Sequence, residues 1–379
     1  MTPDRLSLRA LNRATLDRQL LLRRSALAPR QAIGQLVGLQ AQAPLAPYVG
    51  LCTRLAGFGP HHLKDLLTER AAVRAHLMRN TVHLVTAEDF VAFRPLFQPL
   101  MERGLAGNFG RNLAGVDLAE LTDAAAALLG VSALTRGQLA ERLAPRWPEH
   151  DPAALAYAAT HLLALVQVPP RGLWGQTGQA TYFLAAAWLN PDPVDPAALA
   201  EPPDPARAAE QLVLRYLAAY GPASVRDIQA WSGLSRLREV TERLGPRLRP
   251  FTGPEGGPLL DLPDAPRPGG DVPAPPRFLP EYDNLLLSFA ERRRVIPHPR
   301  PVPLPPGSGA TGGTLLVDGL WQAGWKIAQG ILHIQPFIQL SPADRDAITA
   351  EGQRLLDFAA PAGTGPIADR DVRFAPVCE

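Results

Sequence analysis

The sequence predicts a mainly α fold with β wings (α+β), organised as three tandem winged-helix units and a C-terminal β-rich portion. Three observations predict it: helix signals followed by a strand–tip–strand pattern near Arg79, the same order again after Asp117, and a helix-turn-helix pattern around Gly233. The chain has 379 residues, enough for two to three ordinary domains of roughly 100–200 residues each. Its 46% apolar and 20% charged residues describe a globular protein, not a disordered or coiled-coil one. The 41 prolines must gather in loops and boundaries, because proline lacks the amide proton that helix interiors and central strands need.

The first segment is expected over residues 1–116. Leu8, Leu11, Leu16, Leu20 and Leu22 alternate with arginines, as in an amphipathic helix with a basic outer face. Pro29 starts a second helix with Ile33, Leu36 and Val37 on one face, and Tyr48–Leu55 and His61–Arg70 follow as a third and a fourth. Val73–Val85 alternates about an Arg79-Asn80 tip, as a two-stranded wing would.

The second segment, 117–203, repeats that order. Thr135 caps a helix from Arg136, Asp151 with Pro152 opens the next, and an apolar strand and a Gly-rich turn lead to ATYFLAAAW. After a proline-rich linker, PDPVDPAALAEPPDPA, the third winged-helix core spans 204–249. Glu210–Tyr220 reads as a helix, Ser224 caps Val225–Trp231, Gly233 turns the chain and Ser235 caps Arg236–Leu244. Residues 250–379 form the β-rich module, with strands at Leu285–Phe289, Leu315–Val317 and Ile331–Phe337, a turn at Asp318-Gly319, and a closing helix Pro342–Ala359.

Charge is unevenly spread. Met1–Val116 carries 15 Lys or Arg against 7 Asp or Glu, a net +8 within a chain whose total is only +2. An anion-binding front half has this distribution, and so does a merely solvated basic surface. Cys52 and Cys378 make neither a CxxC pair nor a disulfide framework, no signal core or long apolar run is present, and a cytoplasmic protein with no membrane association is expected. No Walker loop, GxGxxG, GxSxG, HExxH or zinc pattern occurs, so neither cofactor nor metal is expected, and His61-His62 reads as a helix start.

The local anomaly is Gln40-Ala41-Gln42. Gln40 is the seven-residue successor of Ile33 on an apolar stripe, which turns a neutral amide inward near the expected end of the second helix. In an extended turn Gln40 and Gln42 project to the same side. The bland alternative is a glutamine pair bonded to backbone carbonyls.

The QAQ triplet, the RNTVHLV wing, the LPEYDNLLLSFAERRRVI segment and the LLVDG…GWK hairpin together resemble the AlkZ-like branch of the AlkZ/YcaQ winged-helix DNA glycosylases, in the same order along essentially the whole chain. The resemblance implies a C-shaped arrangement of the three winged helices with its concave face on double-stranded DNA, Gln40 and Gln42 as the catalytic pair, and alkylated guanine as the substrate base. It also implies a groove-probing hairpin, where Trp325 and Lys326 fall, with a core anchor as the alternative for Trp325. Arg79 and His83 stand at and after the first wing, where DNA contacts are expected and a bland surface arginine and strand histidine are the alternative; Asp283 and Asn284 lie in a recurrent segment whose bland reading is a loop cap. The expected protein is a monomeric, monofunctional glycosylase for bulky N7-alkylguanine, including interstrand crosslinks, in repair or self-resistance. The rivals are a winged-helix transcription regulator, which would be dimeric with a sequence-specific site, and a damage-binding protein without catalysis.

Overall fold

The computed structural model describes residues 3–190, 204–297, 312–360 and 371–377. They build a mixed helix and strand fold grouped into two compact units: 1–63 with 210–379, and 64–209. This division is coarser than the four segments expected from sequence, and the first unit is discontinuous.

The chain opens with α1 (Leu8–Arg18), α2 (Pro29–Gln35), the two-residue strand β1 (Leu39–Gln40), α3 (Ala46–Arg54) and α4 (Pro60–Thr68). Ser7 caps α1 by accepting the Ala10 amide proton, and Pro29 stands in the first turn of α2, where its missing donor costs nothing.

The second unit contains β2 (Ala72–His76), β3 (Val82–Thr86), α5 (Ala87–Phe109), α6 (Leu118–Leu129), β4 (Leu134–Thr135), α7 (Arg136–Leu143), α8 (Pro152–Leu162), β5 (Leu165–Val168), β6 (Thr181–Leu184) and α9 (Ala185–Leu189). Strands β2 and β3 form the expected hairpin, with His76 opposite Val82. Strand β2 also pairs β5 through Arg74 and Gln167, so five strands of this unit run β3-β2-β5-β6-β4 in one antiparallel sheet. The core beside it is built from Leu121, Leu129, Leu139, Leu143 and Leu155. Thr135 and Asp151 cap α7 and α8 as the sequence indicates.

Returning to the first unit, the chain forms α10 (Pro205–Tyr220), α11 (Val225–Ser232), α12 (Leu237–Leu244), the hairpin β7 (Arg249–Thr252) and β8 (Pro258–Asp261), then β9 (Arg277–Pro280), β10 (Gly312–Val317), β11 (Leu320–Ala328), β12 (Ile331–Pro336), α13 (Pro342–Ala359) and β13 (Val372–Phe374). The last five strands form one sheet ordered β13-β12-β11-β10-β9, antiparallel except for β13 on β12, and α3 and α13 pack on it. Tyr216, Tyr220 and Trp231 stack between α10 and α11 with ring centroids 5.1–5.9 Å apart. Their large apolar area holds the helix-turn-helix together.

Four expectations are corrected. Helix α1 exposes only one of its three arginines, Arg9, itself paired with Asp318: Arg13 and Arg18 are buried, Arg18 in a bidentate pair with Asp261 at 2.7 and 2.8 Å and Arg13 on Asp318. Carboxylates distant in sequence neutralise them, which periodicity cannot reveal. Helix α2 stops at Gln35, well before Gln40, because Val37 (φ 55°) and Gly38 (φ 88°) turn into the left-handed region. Leu285–Phe289 is not a strand; Asp283 accepts the Leu285 amide proton at 3.0 Å and starts a 3₁₀ turn over Asn284–Leu286. Ser235 does not cap α12, since the cap position falls on Arg236 in a left-handed conformation (φ 62°). The proline-rich linker expected before the third segment lies largely outside the described residues. Among the described residues no helix is long and apolar enough to cross a membrane.

Candidate active site

The two left-handed residues after α2 throw the chain from helix into extended backbone over one step, and Gln40 ends up buried at 6% exposure. Gly38 holds a conformation that costs an L-residue roughly 1–2 kcal/mol. Ala41 and Ala43 are fully buried on either side of Gln42, which is exposed at the start of a bend. The bend replaces the extended turn anticipated from sequence. Gln40 therefore lines an internal cavity, and Gln42 does not.

That cavity measures about 10 Å³, close to the space one water occupies. Its polar lining consists of Gln19, Gln40, Arg54, Asp283 and Asn284. Arg54 grips both carboxylate oxygens of Asp283 at 2.9 Å. The same guanidinium donates from Nε to the Gln19 carbonyl at 3.1 Å and from Nη1 to the Gly50 carbonyl at 3.0 Å. Asp283 takes the Leu285 amide proton as well, so neither charge is left without partners. Asn284 Nδ2 donates to the carbonyl of Gly38 at 3.3 Å, pinning the backbone two residues before Gln40. Helix α3 approaches from the other side at Gly50, where a Cβ would lie 2.9 Å from Leu39 Cδ2. A side chain there would push the Leu39 methyl aside.

The arrangement places a neutral amide against a charge-balanced wall. An amide supplies both an acceptor oxygen and donor protons, and can orient a water without being a base. Sequence reasoning missed Arg54 and Gln19 and gave Asp283 and Asn284 no role at Gln40. The one available signal was an arginine on the otherwise apolar face of Tyr48–Leu55; its carboxylate partner is 229 residues away.

The remaining predicted residues are dispersed. Arg79 (φ 55°) sits half-buried in the 3₁₀ turn between β2 and β3, and its Nη2 is 3.5 Å from Nε2 of the fully buried His83. Nδ1 of His83 is 3.0 Å from the Thr81 carbonyl, which only accepts, so Nδ1 donates and Nε2 is the acceptor facing Arg79. Trp325 is a core residue of β11: its indole N–H donates to the Leu279 carbonyl at 2.9 Å and Phe278 meets it edge-on at 5.9 Å. Lys326 next to it is exposed and pairs in register with His333 on β12. Among the described residues no group of His, Cys, Asp or Glu could hold a metal ion. The His61 and His62 rings lie 3.9 Å apart, tilted by 44°, and His62 Nδ1 accepts the Gly59 amide proton at 3.0 Å.

Comparison with known proteins adds three findings. A family model described as "DNA glycosylase AlkZ-like" matches residues 33–358. A curated relative, the interstrand DNA cross-link repair glycosylase of Streptomyces sahachiroi, is 24% identical over 258 residues, which is 65% of this chain and 64% of the relative. That match thus spans less than two thirds of the relative's length. The solved structure of Streptomyces sahachiroi DNA glycosylase AlkZ superposes with a TM-score of 0.74 at 20% identity, covering 98% of this chain and all of that one, and shows the shared fold.

Proposed function

The chain belongs to the AlkZ-like DNA glycosylase family, and from that membership we propose that it is a monofunctional glycosylase that hydrolyses the N-glycosidic bond of bulky N7-alkylguanine in double-stranded DNA, interstrand crosslinks included. It works as a cytoplasmic monomer in repair or in self-resistance to a genotoxic natural product. In this reading the chain is three winged helices, over 1–116, 117–203 and a third core at 204–249 completed by 250–379, that bind the duplex.

Alkylation at N7 makes guanine cationic, so the C1′–N9 bond breaks with its electron pair passing to the base, which leaves neutral without protonation. Water adds to C1′ and its proton is released to solvent. The products are an abasic hemiacetal, the free alkylguanine and one proton. The enzyme's task is to hold that water and stabilise positive charge at the sugar, which the amides of Gln40 and Gln42 do by orientation rather than basicity. The chain has only two lysines, Lys64 and Lys326, and neither lines the Gln40 cavity, so hydrolysis rather than Schiff-base chemistry fits the residues. A crosslinked base cannot be flipped into a tight pocket, and the 10 Å³ cavity is sized to position Gln40, not to admit a nucleobase.

The observation that carries the reading is Gln40 buried at one small cavity that Arg54, Asp283 and Asn284 also line, inside a chain of this family. Duplex DNA carrying a single 7-alkylguanine, incubated with the protein and then treated with alkali, breaks at that base. Strand cleavage at background level, or undiminished cleavage by the Gln40→Ala, Gln42→Ala double variant, overturns it. A sequence-specific duplex bound by a dimer without cleavage indicates a transcription regulator.

A further inference from the structure

The first unit carries a second concavity, sharing no residue with the Gln40 cavity. It lies between the Leu22–Arg24 loop, the end of α3, residues 275–277 and α13, an open concavity of about 850 Å³. Small-ligand sites typically occupy roughly 300–1,000 Å³.

Its charge is out of balance. Arg23, Arg24, Arg277 and Arg354 line it with one carboxylate, Glu351. Arg24 binds both oxygens of Glu351, and Arg277 Nη1 reaches the same Oε1 at 3.4 Å while its Nε donates to the Leu21 carbonyl. Arg277 and Glu351 are both buried, at 6% and 9% exposure. Arg23 and Arg354 stand exposed at the rim and make no hydrogen bond or ion pair with the described residues. Two guanidinium groups thus share one carboxylate on the floor and two more wait above it. Burial, opposed by Glu351 and reinforced by Arg24 and Arg354, pulls the Arg277 guanidinium below its ordinary value. Buried positive charge in surplus is a cost that an anion removes.

The walls define the rest of a ligand. Phe58 and Phe358 lie 5.9 Å apart, their planes tilted by 33°, with Leu55, Pro275 and Pro276 beside them, an aromatic and apolar surface next to the guanidinium cluster. Cys52 also faces the concavity, but burial pushes its thiol up to about 12, so it is a packing residue and not a nucleophile.

We propose that this concavity binds a phosphate monoester attached to a flat apolar body, the dianion seated between Arg23 and Arg354 above Arg277 and the ring laid against Phe58 and Phe358. A monoester brings nearly two negative charges to the surplus, where an internal DNA phosphodiester brings one, and arginine forks match phosphate oxygens in pairs. The chemistry has two sources, a free nucleotide or the 5′-phosphorylated end of a strand. The site does not depend on the reaction proposed at Gln40.

Isothermal titration of the full chain at fixed ionic strength tests it, using adenosine 5′-monophosphate, adenosine, and a short single strand with or without a 5′-phosphate. Adenosine monophosphate binds, adenosine binds at least about tenfold more weakly, and Arg23→Gln with Arg354→Gln lowers the monophosphate affinity at least about tenfold. Both side chains are exposed and unbonded, so the fold is retained; an unchanged melting curve verifies this, and Arg103→Gln in the other unit controls for net charge. Tighter binding of the phosphorylated strand than of the nucleotide assigns the source as a strand end; the reverse order assigns a free nucleotide. Equal affinities for monophosphate and adenosine, equal affinities in wild type and double variant, or an equal loss with Arg103→Gln each overturn the proposal.

Discussion

Replacing Asp283 by asparagine removes one charge from a place where no solvent can make up for it. Asparagine has nearly the same shape, and its side-chain oxygen can still accept the Leu285 amide proton, so the 3₁₀ turn keeps its cap. What is lost is the partner of Arg54, whose guanidinium is 1% exposed and now carries an uncompensated charge. Breaking a buried pair from one side costs about 3–5 kcal/mol. For a unit of this size each kcal/mol shifts the midpoint by about 2–4 °C, so a melt followed by circular dichroism falls by about 6–20 °C. Removing both charges in Arg54→Met, Asp283→Leu recovers part of that loss. Recovery is incomplete because the Gln19 and Gly50 carbonyls each lose a donor and the Leu285 amide loses its acceptor, each worth about 1 kcal/mol. A loss under about 1 kcal/mol in Asp283→Asn, or a double variant as unstable as the two single changes combined, refutes the claim that this pair is a coupled, desolvated unit.

Gly38→Ala forces a side chain into φ 88°; it lowers stability by about 1–2 kcal/mol and slows base release by displacing Gln40, read as a fall in kcat with KM little changed. Gln40→Ala alone lowers single-turnover release by about 10²-fold, and the same rate loss from Gln42→Ala would show that burial of Gln40 is not what matters. His76 is held down to about 4, first by burial and then by His161. The folded state therefore binds fewer protons than the unfolded one between about pH 6.5 and 4, and stability, complete above 6.5, declines as pH falls through that window. His76→Gln flattens the decline, and an unaltered pH profile in urea melts of that variant refutes the assignment.

Local signals in the sequence were dependable at several element boundaries. Thr135, Asp151 and Ser224 cap their helices and the Arg79-Asn80 tip joins two paired strands, whereas Ser235 does not cap α12. They failed where distant charges meet. The excess of positive charge before Val116 suggested a basic surface, yet Arg13, Arg18, Arg54, Arg74 and Arg94 are buried, and the first three have carboxylate partners drawn from beyond residue 260. Apolar periodicity carried α2 as far as Gln40, while two left-handed residues actually stop it, one of them a β-branched valine that gives no warning. Gln40 was legible as an inward-facing amide. The wall behind it was not, because Arg54 and Asp283 meet only through the fold.

The first unit is stitched from both ends of the chain, and this sets an order for its synthesis. Helix α1 leaves the ribosome with Arg18 and Arg13 already in place, but their carboxylates, Asp261 and Asp318, follow 243 and 305 residues later. At about 5–20 residues per second the wait for the second partner is about 15–60 s. During that interval residues 64–209, a compact unit continuous in sequence, can fold first. A nascent chain halted near residue 250 would therefore resist proteolysis across 64–190 and be cut readily within α1, a footprint opposite to the order in which the two segments were made.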